Sequence, residues 1–358
     1  MQQSTLVSLA PFVASLAGVL PRELFPPGNV ERMCAAVRDV PWQLVSLFGF
    51  ECALDEAPCD ADILFAANVE TGGRRMRFPG TSAAWRRIDA FRERWSDPAS
   101  PLHAGADDVW FEFDVAANPT TAALEPSFFF GPRVRDAGDD AAARQTRAVL
   151  HAGFDALCEH GLARGTAAAL DGCLANLAPR ARVFQAGLML ARPGCPVRIC
   201  VDNLANTEIV EFVACVRGAV DATALAAELS RLDGTVLSVK PAFDVGDGVG
   251  PRIGLECYAV PPQRVDAGTA AWAPLLDRLV SAGACSAAKR DALLDLAPVA
   301  RASATGTAWP DEGAALLGAL SGHEPALGIR IHHLKLVVES GCAPRAKAYI
   351  AVAKGWSA

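Results

Sequence analysis

The segment VFQAGLMLARPGCPVRICV, residues 183–201, contains two apolar strands joined by a turn. Val183–Ala191 and Val197–Val201 flank Arg192-Pro193-Gly194-Cys195. A Pro-Gly pair between two apolar runs is typical of a hairpin turn. Four further pairs of short, apolar-alternating runs occur at 46–69, 109–131, 236–260 and 330–353. The sequence therefore predicts ten antiparallel strands arranged as five hairpins.

Helical periodicity fills the segments between the hairpins. It predicts helices at 85–95, within 140–178, within 206–232, at about 270–281 and 286–296, and near 312–320. Asp221 is the predicted cap of a helix within 206–232. Recurrence of a hairpin followed by helices favours an α+β barrel, ten-stranded and antiparallel, with helices around it. We interpret residues 1–358 as a single domain of this kind with an N-terminal helical segment at 1–40. A two-layer sandwich with interspersed helices is the alternative.

Composition and charge narrow the functional classes. The chain has 358 residues, 51% of them hydrophobic, and a net charge of −7, which argues against a general nucleic-acid binder. No run of 18 apolar residues occurs, so we expect no membrane span. The apolar stretch Leu6–Leu20 lacks a basic flank, so we expect no signal peptide. Eleven cysteines without CxxC or zinc-ligand spacing favour a reducing cytoplasm, and the high Ala, Arg and Asp content suggests a bacterial source.

Strand alternation predicts which side chains face the barrel interior. Neighbouring residues of a strand point to opposite faces, and outer helices must cover the apolar faces. In 252–258, for example, Ile253, Leu255 and Cys257 share one face, and the polar residues share the other. Alternatively, the polar residues lie on solvated strand faces, as is usual in antiparallel sheets. The predicted interior set is Glu51, Glu112, Asp114, Arg198, Lys240, Arg252, Glu256, Tyr258, Lys335, Lys347 and Tyr349.

Several motifs on these strands resemble the aromatic prenyltransferases of the ABBA barrel type, and most of all their indole (dimethylallyltryptophan synthase-like) branch. Phe50-Glu51 is similar to the first strand of that branch, which carries a glutamate. The other similar motifs are Phe113-Asp114-Val115 with Phe128–Pro132, Pro196–Val201, Glu256–Pro261, and His332–Val338 with Ala348–Val352. The resemblance covers roughly residues 45–353 in short, degenerate motifs.

The resemblance implies electrophilic aromatic substitution in secondary metabolism. An allylic diphosphate, dimethylallyl or geranyl, would ionise, and an indole, phenol or peptide aromatic acceptor would attack the cation. By resemblance, Glu51 would be the catalytic base. Arg198, Arg252, Lys335 and Lys347 would bind diphosphate, Tyr258 and Tyr349 would shield the cation, and Trp110, Glu112, Lys240, Glu256 and Met189 would line the substrate pocket. A closed interior suits this chemistry, because it keeps a carbocation from water and surrounds it with aromatic faces.

The same resemblance sets expectations for partners. We expect two small-molecule substrates, no nucleic acid, no membrane, and a monomer or homodimer. No cofactor is expected, since Arg and Lys would neutralise the diphosphate, although Mg²⁺ could take part.

The chain departs from the family pattern at several positions. Ser127 and Phe129 stand where the family has a lysine and a tyrosine, and Pro196 and Cys200 replace a second basic residue and a tyrosine. The first hairpin has no arginine on its return strand; Arg74, Arg75 and Arg77 come later. Each lost cation is expected to weaken diphosphate binding by about 1–3 kcal/mol. The alternative is a barrel that has lost prenyl-donor use and acts as another tailoring enzyme or cyclase, or as a non-catalytic ligand-binding protein.

Three local features have plainer interpretations. Asp114 ends a strand, where aspartate often caps a turn. His332 and His333 are interpreted as a packing pair. Gly246–Gly250 is glycine-rich but lies in a hairpin, so we predict a turn and not a phosphate-binding loop.

Overall fold

Ten strands close into an antiparallel barrel in this computed structural model. The structure describes residues 7–56, 61–75, 80–115, 124–133, 140–216, 220–261, 268–301 and 324–357. The barrel closes because β10 pairs with both β8 and β11, and β11 pairs with β1. In chain order the strands are β1 (Leu47–Ala53), β2 (Asp62–Asn68), β3 (Ala106–Phe113), β4 (Ser127–Pro132), β5 (Arg182–Leu188), β6 (Val197–Asp202), β7 (Ser238–Val245), β8 (Val249–Tyr258), β9 (Val299–Arg301), β10 (Glu324–Glu339) and β11 (Arg345–Ser357).

The five predicted hairpins are confirmed as β1–β2, β3–β4, β5–β6, β7–β8 and β10–β11. Gly194, in the β5–β6 turn, has a φ of 76°, a conformation that favours glycine. The predicted turn between β7 and β8 is present at Gly246–Gly248, and Val249 and Gly250 already belong to β8. The strand β9 was not predicted, because three residues are too few to show periodicity; it pairs with Ala326–Gly328 of β10, outside the closed ring.

Helices occupy the segments between the hairpins. The predicted cap at Asp221 is present, since its Oδ1 accepts from Thr223 N at 2.8 Å, and Ser82 Oγ caps α3 by accepting from Trp85 N at 3.4 Å. The short α4 was not predicted, and the predicted helix near 312–320 lies outside the described residues. The helices are α1 (Ala10–Ser15), α2 (Asn29–Ala36), α3 (Ala83–Ser96), α4 (Pro101–Gly105), α5 (Asp140–Leu157), α6 (Arg164–Ala175), α7 (Asn206–Cys215), α8 (Ala222–Leu232), α9 (Ala273–Ser281) and α10 (Ala287–Leu294).

The hydrophobic core is a shell between the barrel and its helices. On the outer face of the sheet, the Phe65 and Phe111 rings stack at 4.5 Å. Phe91 of α3 meets Phe128 of β4 edge-on at 5.0 Å. Because apolar side chains of the strands point outward into this shell, the polar residues between them point inward. The barrel interior is therefore a second, polar compartment.

The segment 1–40 contains α1 and α2, which pack on the same core. Phe12 of α1 stacks on Trp42 with ring centroids 3.8 Å apart. The single-domain assignment of residues 1–358 stays a prediction. Among the described residues, no helix is long and apolar enough to cross a membrane.

Candidate active site in the barrel interior

A cavity of about 210 Å³ lies inside the barrel. Seven of the predicted site residues line it: Trp110, Glu112, Arg198, Glu256, Tyr258, Lys335 and Tyr349. Other residues of its wall were not predicted as pocket residues, among them Asp108, Phe184, Gln185, His332 and His333. Five predicted site residues do not line it: Glu51, Met189, Lys240, Arg252 and Lys347. The polar interior predicted from alternation is thus present, with a partly different wall.

Glu51 is buried beside the cavity in an ion pair. It faces Tyr349 across the β1–β11 ladder, and Lys347 is the next interior residue of β11. Lys347 Nζ donates to Glu51 Oε1, and the Tyr349 hydroxyl donates to Oε2. Burial raises the pKa of Glu51, but the Lys347 ammonium and these two hydrogen bonds outweigh burial and lower it to about 2. Glu51 is therefore a fixed carboxylate at neutral pH.

Glu112 is the second buried carboxyl of this region, and it lines the cavity. Arg192 Nη2 donates to its Oε1 at 3.3 Å. Burial raises the pKa of Glu112, and the negative charges of Glu51 and Asp114 raise it further, to about 7, against the opposing effect of Arg192 and Arg198. A carboxyl of this kind changes its charge near neutral pH.

Arg192 was missed as an interior residue, because the sequence places it in the β5–β6 turn. Its guanidinium reaches back over the barrel and binds Asp114 at two points, Nε to Oδ2 at 2.8 Å and Nη2 to Oδ1 at 2.9 Å. Asp114 thus has an ion-pair partner, in addition to the strand-end position from which a capping role was predicted. The sequence alone cannot show whether a basic side chain in a hairpin turn binds an interior carboxylate, as Arg192 does, or points into solvent.

Arg198 of β6 lines the cavity and pairs with Asp244 of β7, its partner in the strand register. Arg252 approaches Asp244 Oδ2, which Arg198 also contacts, at 3.6 Å and is more exposed, at 39% of its side chain. Asp244 was not predicted as a site residue. It neutralises two of the four cations expected to bind diphosphate.

Lys335 and Glu256 form another ion pair, and both residues line the cavity. Lys335 Nζ lies 3.7 Å from Glu256 Oε1, and the Tyr258 hydroxyl donates to Glu256 Oε2 at 3.1 Å. Gly254 makes room for this arrangement, because a Cβ there would lie 2.3 Å from Lys335 Cε. The Lys335 ammonium also lies 5.8 Å from the Tyr349 ring centroid.

Lys240 and Met189 lie away from the cavity wall. The Lys240 ammonium is 3.2 Å from Asp202 and lies over the rings of Phe184 and Tyr258 at 4.8 and 4.7 Å. Met189 is fully buried at the end of the β5–β6 hairpin, where its N–H donates to Pro196 O at 3.1 Å. Lys240 therefore contacts two side chains of the cavity wall without lining the cavity itself.

Two histidines line the cavity where packing alone was predicted. A bulge of β10 between Ile331 and His333 disturbs strict alternation and places His332 and His333 on the same cavity. Their Nδ1 atoms are 2.8 Å apart, and His333 stacks on Tyr349 at 4.1 Å. Burial, and then the neighbouring His333, lower the pKa of His332 to about 3, so this histidine is neutral at pH 7.

The positions that depart from the family pattern lower the positive charge of the interior. Ser127 is fully buried, and its hydroxyl has no hydrogen-bond partner among the described residues. Burial raises the pKa of the Cys200 thiol to about 12, so this cavity residue is uncharged. Phe129 contributes an apolar wall. Among the described residues, no group of three or more His, Cys, Asp or Glu side chains is placed to hold a metal ion.

Comparison of sequences alone gives no match, either to a family model or to a curated protein. Comparison of structures does. The 5-dimethylallyltryptophan synthase from Streptomyces coelicolor is 13% identical over 95% of each chain, with a TM-score of 0.51. The chain has the barrel fold of the ABBA-type aromatic prenyltransferases.

Two further prenyltransferases of this fold are similar to the chain. The 6-dimethylallyltryptophan synthase from Micromonospora olivasterospora is 14% identical over 96% of this chain and 95% of its own, with a TM-score of 0.51. The prenyltransferase PriB is 14% identical over 95% of this chain and 94% of its own, with a TM-score of 0.50. At such identities the similarity establishes the fold, and function has to be argued from the site.

Proposed function

We propose that this protein is an aromatic prenyltransferase that transfers a dimethylallyl or geranyl group from its diphosphate to an indole, phenol or peptide aromatic acceptor. One observation carries the proposal: Arg198, Lys335, Tyr258 and Tyr349 meet on one cavity inside a barrel of the prenyltransferase fold. The similar structures add support. The 6-dimethylallyltryptophan synthase was solved with DMASPP and Trp, and PriB with L-tryptophan and dimethylallyl thiolodiphosphate.

The cations of the interior are suited to the donor diphosphate. Arg198 and Lys335 are 13% and 9% exposed, so their charges are poorly screened by water. Lys347 and Arg252, at 35% and 39%, lie nearer solvent. Ionisation breaks the allylic C–O bond, and its electron pair leaves with pyrophosphate. Preorganised positive charge stabilises that leaving group.

The aromatic wall is suited to the allyl cation. Tyr258 and Tyr349 line the cavity beside Trp110 and Phe129, and all four can present electron-rich faces. Their enclosure keeps water from the cation. The acceptor ring would form the new C–C bond and then lose a proton to an interior carboxylate, for which Glu51 and Glu112 are the two candidates.

The size of the cavity favours small substrates. Its volume of about 210 Å³ is below the roughly 300–1,000 Å³ usual for ligand pockets. Donor and acceptor together therefore require side chains of the wall to move.

A specific observation favours a second candidate function. Each interior cation named above has a carboxylate partner: Arg192 with Asp114, Arg198 and Arg252 with Asp244, Lys240 with Asp202, Lys335 with Glu256, and Lys347 with Glu51. A diphosphate would have to compete with these carboxylates. A barrel without donor use, acting as another tailoring enzyme, a cyclase or a ligand-binding protein, would keep its charges paired in this way.

The remaining expectations belong to this proposal. We expect the reaction to proceed without a metal or other cofactor, in a reducing cytoplasm, by a monomer or homodimer. Cys173, Cys200 and Cys257 are buried as free thiols, which supports a reducing location.

Incubation with dimethylallyl or geranyl diphosphate and a set of indoles, phenols and aromatic peptides tests the proposal. Mass spectrometry should find acceptors heavier by one prenyl group, with equal release of pyrophosphate. Lys335→Met should abolish most of the turnover. The matched control is Arg180→Met, which removes an exposed cation that pairs with Glu208 at 2.8 Å. Absence of product together with absence of pyrophosphate binding by calorimetry would favour the second candidate function.

A further inference from the structure

Of the three buried glutamates of the interior, Glu256 on β8 is held by Lys335 and by the Tyr258 hydroxyl. The other two, Glu51 on β1 and Glu112 on β3, lie within one electrostatic neighbourhood. Their side chains are 4% and 11% exposed. The strands β1 and β3 both pair with β2, where Glu51 faces Asp62 and Glu112 faces Leu64. Glu51 raises the pKa of Glu112, which shows that their charges interact. A reaction that releases one proton needs one of them to be available.

Glu51 is engaged on both of its oxygens. One accepts from the Lys347 ammonium and the other from the Tyr349 hydroxyl, and Glu51 does not line the cavity. A carboxylate held in this way is a weak proton acceptor, because protonation would break an ion pair that is largely shielded from water.

Glu112 is differently placed. It lines the cavity directly, between Trp110 on its own strand and Arg198 across the interior. Only Oε1 is engaged, by Arg192 at 3.3 Å, and Oε2 accepts no hydrogen bond from a described residue. Ser127, its partner on β4, is buried with an unpartnered hydroxyl. This part of the wall therefore has unused polar atoms.

We propose that Glu112 is the general base of the prenyl transfer and that Glu51 is a positioning residue that holds Lys347 and Tyr349. The assignment rests on the proposed function and departs from the role that the family resemblance implies for Glu51. Attack of the acceptor ring on the allyl cation forms the C–C bond and a cationic ring. Glu112 then takes the proton from the substituted carbon, and the C–H electron pair restores the aromatic ring. Pyrophosphate leaves with the electron pair of the broken C–O bond.

The charges around Glu112 tune it for this step. General bases work best when their pKa lies near the working pH, and the pKa of Glu112 is raised to about 7 while that of Glu51 is lowered to about 2. The groups that face Glu112 are Glu51 on β1, Leu64 on β2, Asp114 after β3, Ser127 on β4, Arg192 in the β5–β6 turn, Arg198 on β6, and Lys347 and Tyr349 on β11. The negative charges of Glu51 and Asp114 raise the pKa of Glu112, and the positive charges of Arg192 and Arg198 limit that rise.

Three glutamate variants and the pH dependence of turnover test the assignment. Glu112→Gln should lower turnover by about 100-fold or more, the usual contribution of a general base, with donor and acceptor binding unchanged in calorimetry. The wild-type rate should rise with pH through about 7, and Glu112→Gln should lose this rise. Glu51→Gln should move the rise to lower pH, because the Glu51 charge no longer raises the pKa of Glu112, and it should alter donor binding. The matched control is Glu93→Gln, an exposed glutamate of α3.

The outcomes separate this assignment from the function on which it rests. Turnover of Glu112→Gln within about threefold of wild type, with the same pH profile, would overturn the role of Glu112 and leave the prenyl transfer intact. A loss of turnover of about 100-fold or more in Glu51→Gln, with donor binding unchanged in calorimetry, would return the base role to Glu51. Wild-type protein that makes no prenylated product with any donor and acceptor pair would overturn the proposed function, and the assignment with it.

Discussion

Arg198 and Asp244 face each other on neighbouring strands and form a two-point ion pair, Nε to Oδ1 at 2.8 Å and Nη2 to Oδ2 at 3.1 Å. The Arg198 side chain is 13% exposed and that of Asp244 21%, so the pair is largely shielded from solvent. The planar guanidinium and the carboxylate match each other in shape, as guanidinium and phosphate do. In the proposed reaction, a diphosphate oxygen would therefore compete with Asp244 for the Arg198 guanidinium.

Asp244→Asn should strengthen pyrophosphate binding. The change removes the negative charge shared by Arg198 and Arg252 and leaves both cations available to an anion. We expect the dissociation constant of pyrophosphate to fall about tenfold, because charge-assisted hydrogen bonds contribute roughly 1.5–3 kcal/mol each. The ligand-free variant should melt at a lower temperature, because Arg198 loses its partner. Calorimetry and thermal unfolding measure the two effects.

The matched control for this change is Asp277→Asn. Asp277 lies on α9 and pairs with Arg290 at 3.3 Å, but its side chain is 59% exposed. Pyrophosphate binding should be the same as in wild type. Equal affinity in Asp244→Asn and in wild type would mean that Arg198 takes no part in anion binding.

The sequence predicts the barrel because each hairpin is encoded by residues that are close together in the chain. Turn residues such as Gly194 and the alternation of apolar side chains identify each hairpin without knowledge of the others. The ion pair of Arg198 with Asp244 is different, because it depends on the register between two hairpins. Alternation also fails at the bulge beside His333, where the pattern alone cannot show that both histidines reach the cavity. The polar interior was therefore predictable from the sequence, but the ion pairs between its side chains were not.

Glu112→Gln should raise stability at alkaline pH. The pKa of Glu112 in the folded protein, about 7, lies above the ordinary value of 4.5, so its contribution to stability is complete below pH 4.5 and is lost as pH rises through 7. At pH 8 the variant should be more stable than wild type by up to about 3 kcal/mol, and at pH 4.5 the two should be similar. Urea unfolding at both values measures this. A variant less stable than wild type at pH 8 would contradict the buried charge.

Lys347→Met should have the opposite pH dependence. The pKa of Glu51, about 2, lies below its ordinary value, so Glu51 contributes stability above pH 4.5 that is lost as pH falls through 2. Without the ammonium, Glu51 is a buried charge that keeps the hydrogen bond from Tyr349 and the more distant charge of Lys335. We expect a loss of about 3–5 kcal/mol at pH 7 and a smaller loss at pH 4, where Glu51 can take up a proton.

The double variant Lys347→Met/Glu51→Gln checks the cause of that loss. It removes both charges, so it should recover much of the stability at pH 7 in urea unfolding. Additive losses in the double variant would show that the two side chains do not interact.

Chelation of metals should leave the prenyl transfer unchanged. In the proposed reaction the diphosphate charge is met by guanidinium and ammonium groups, with Arg198 and Lys335 at the cavity itself. The rate with dimethylallyl diphosphate should therefore be the same in EDTA and after addition of Mg²⁺. A rate that falls in EDTA and returns with Mg²⁺ would show that the side chains do not suffice.

Trp110→Ala should widen the range of substrates. The Trp110 indole lines the cavity, and its N–H donates to Asp108 at 3.3 Å, so the ring is held in place. Removing it enlarges a cavity of about 210 Å³, and geranyl diphosphate should gain on dimethylallyl diphosphate as donor. The change should also cost about 3 kcal/mol of stability, the lower end for aromatic-to-alanine changes, because the wall is only partly buried here. Competition between the two donors, read by product mass, measures the shift.

Trp85→Ala is the matched control, since Trp85 lies outside the barrel against Phe111; it should lower stability without altering the donor ratio. The same change of ratio in both variants would mean that the barrel loosens as a whole and that Trp110 sets no boundary for the donor.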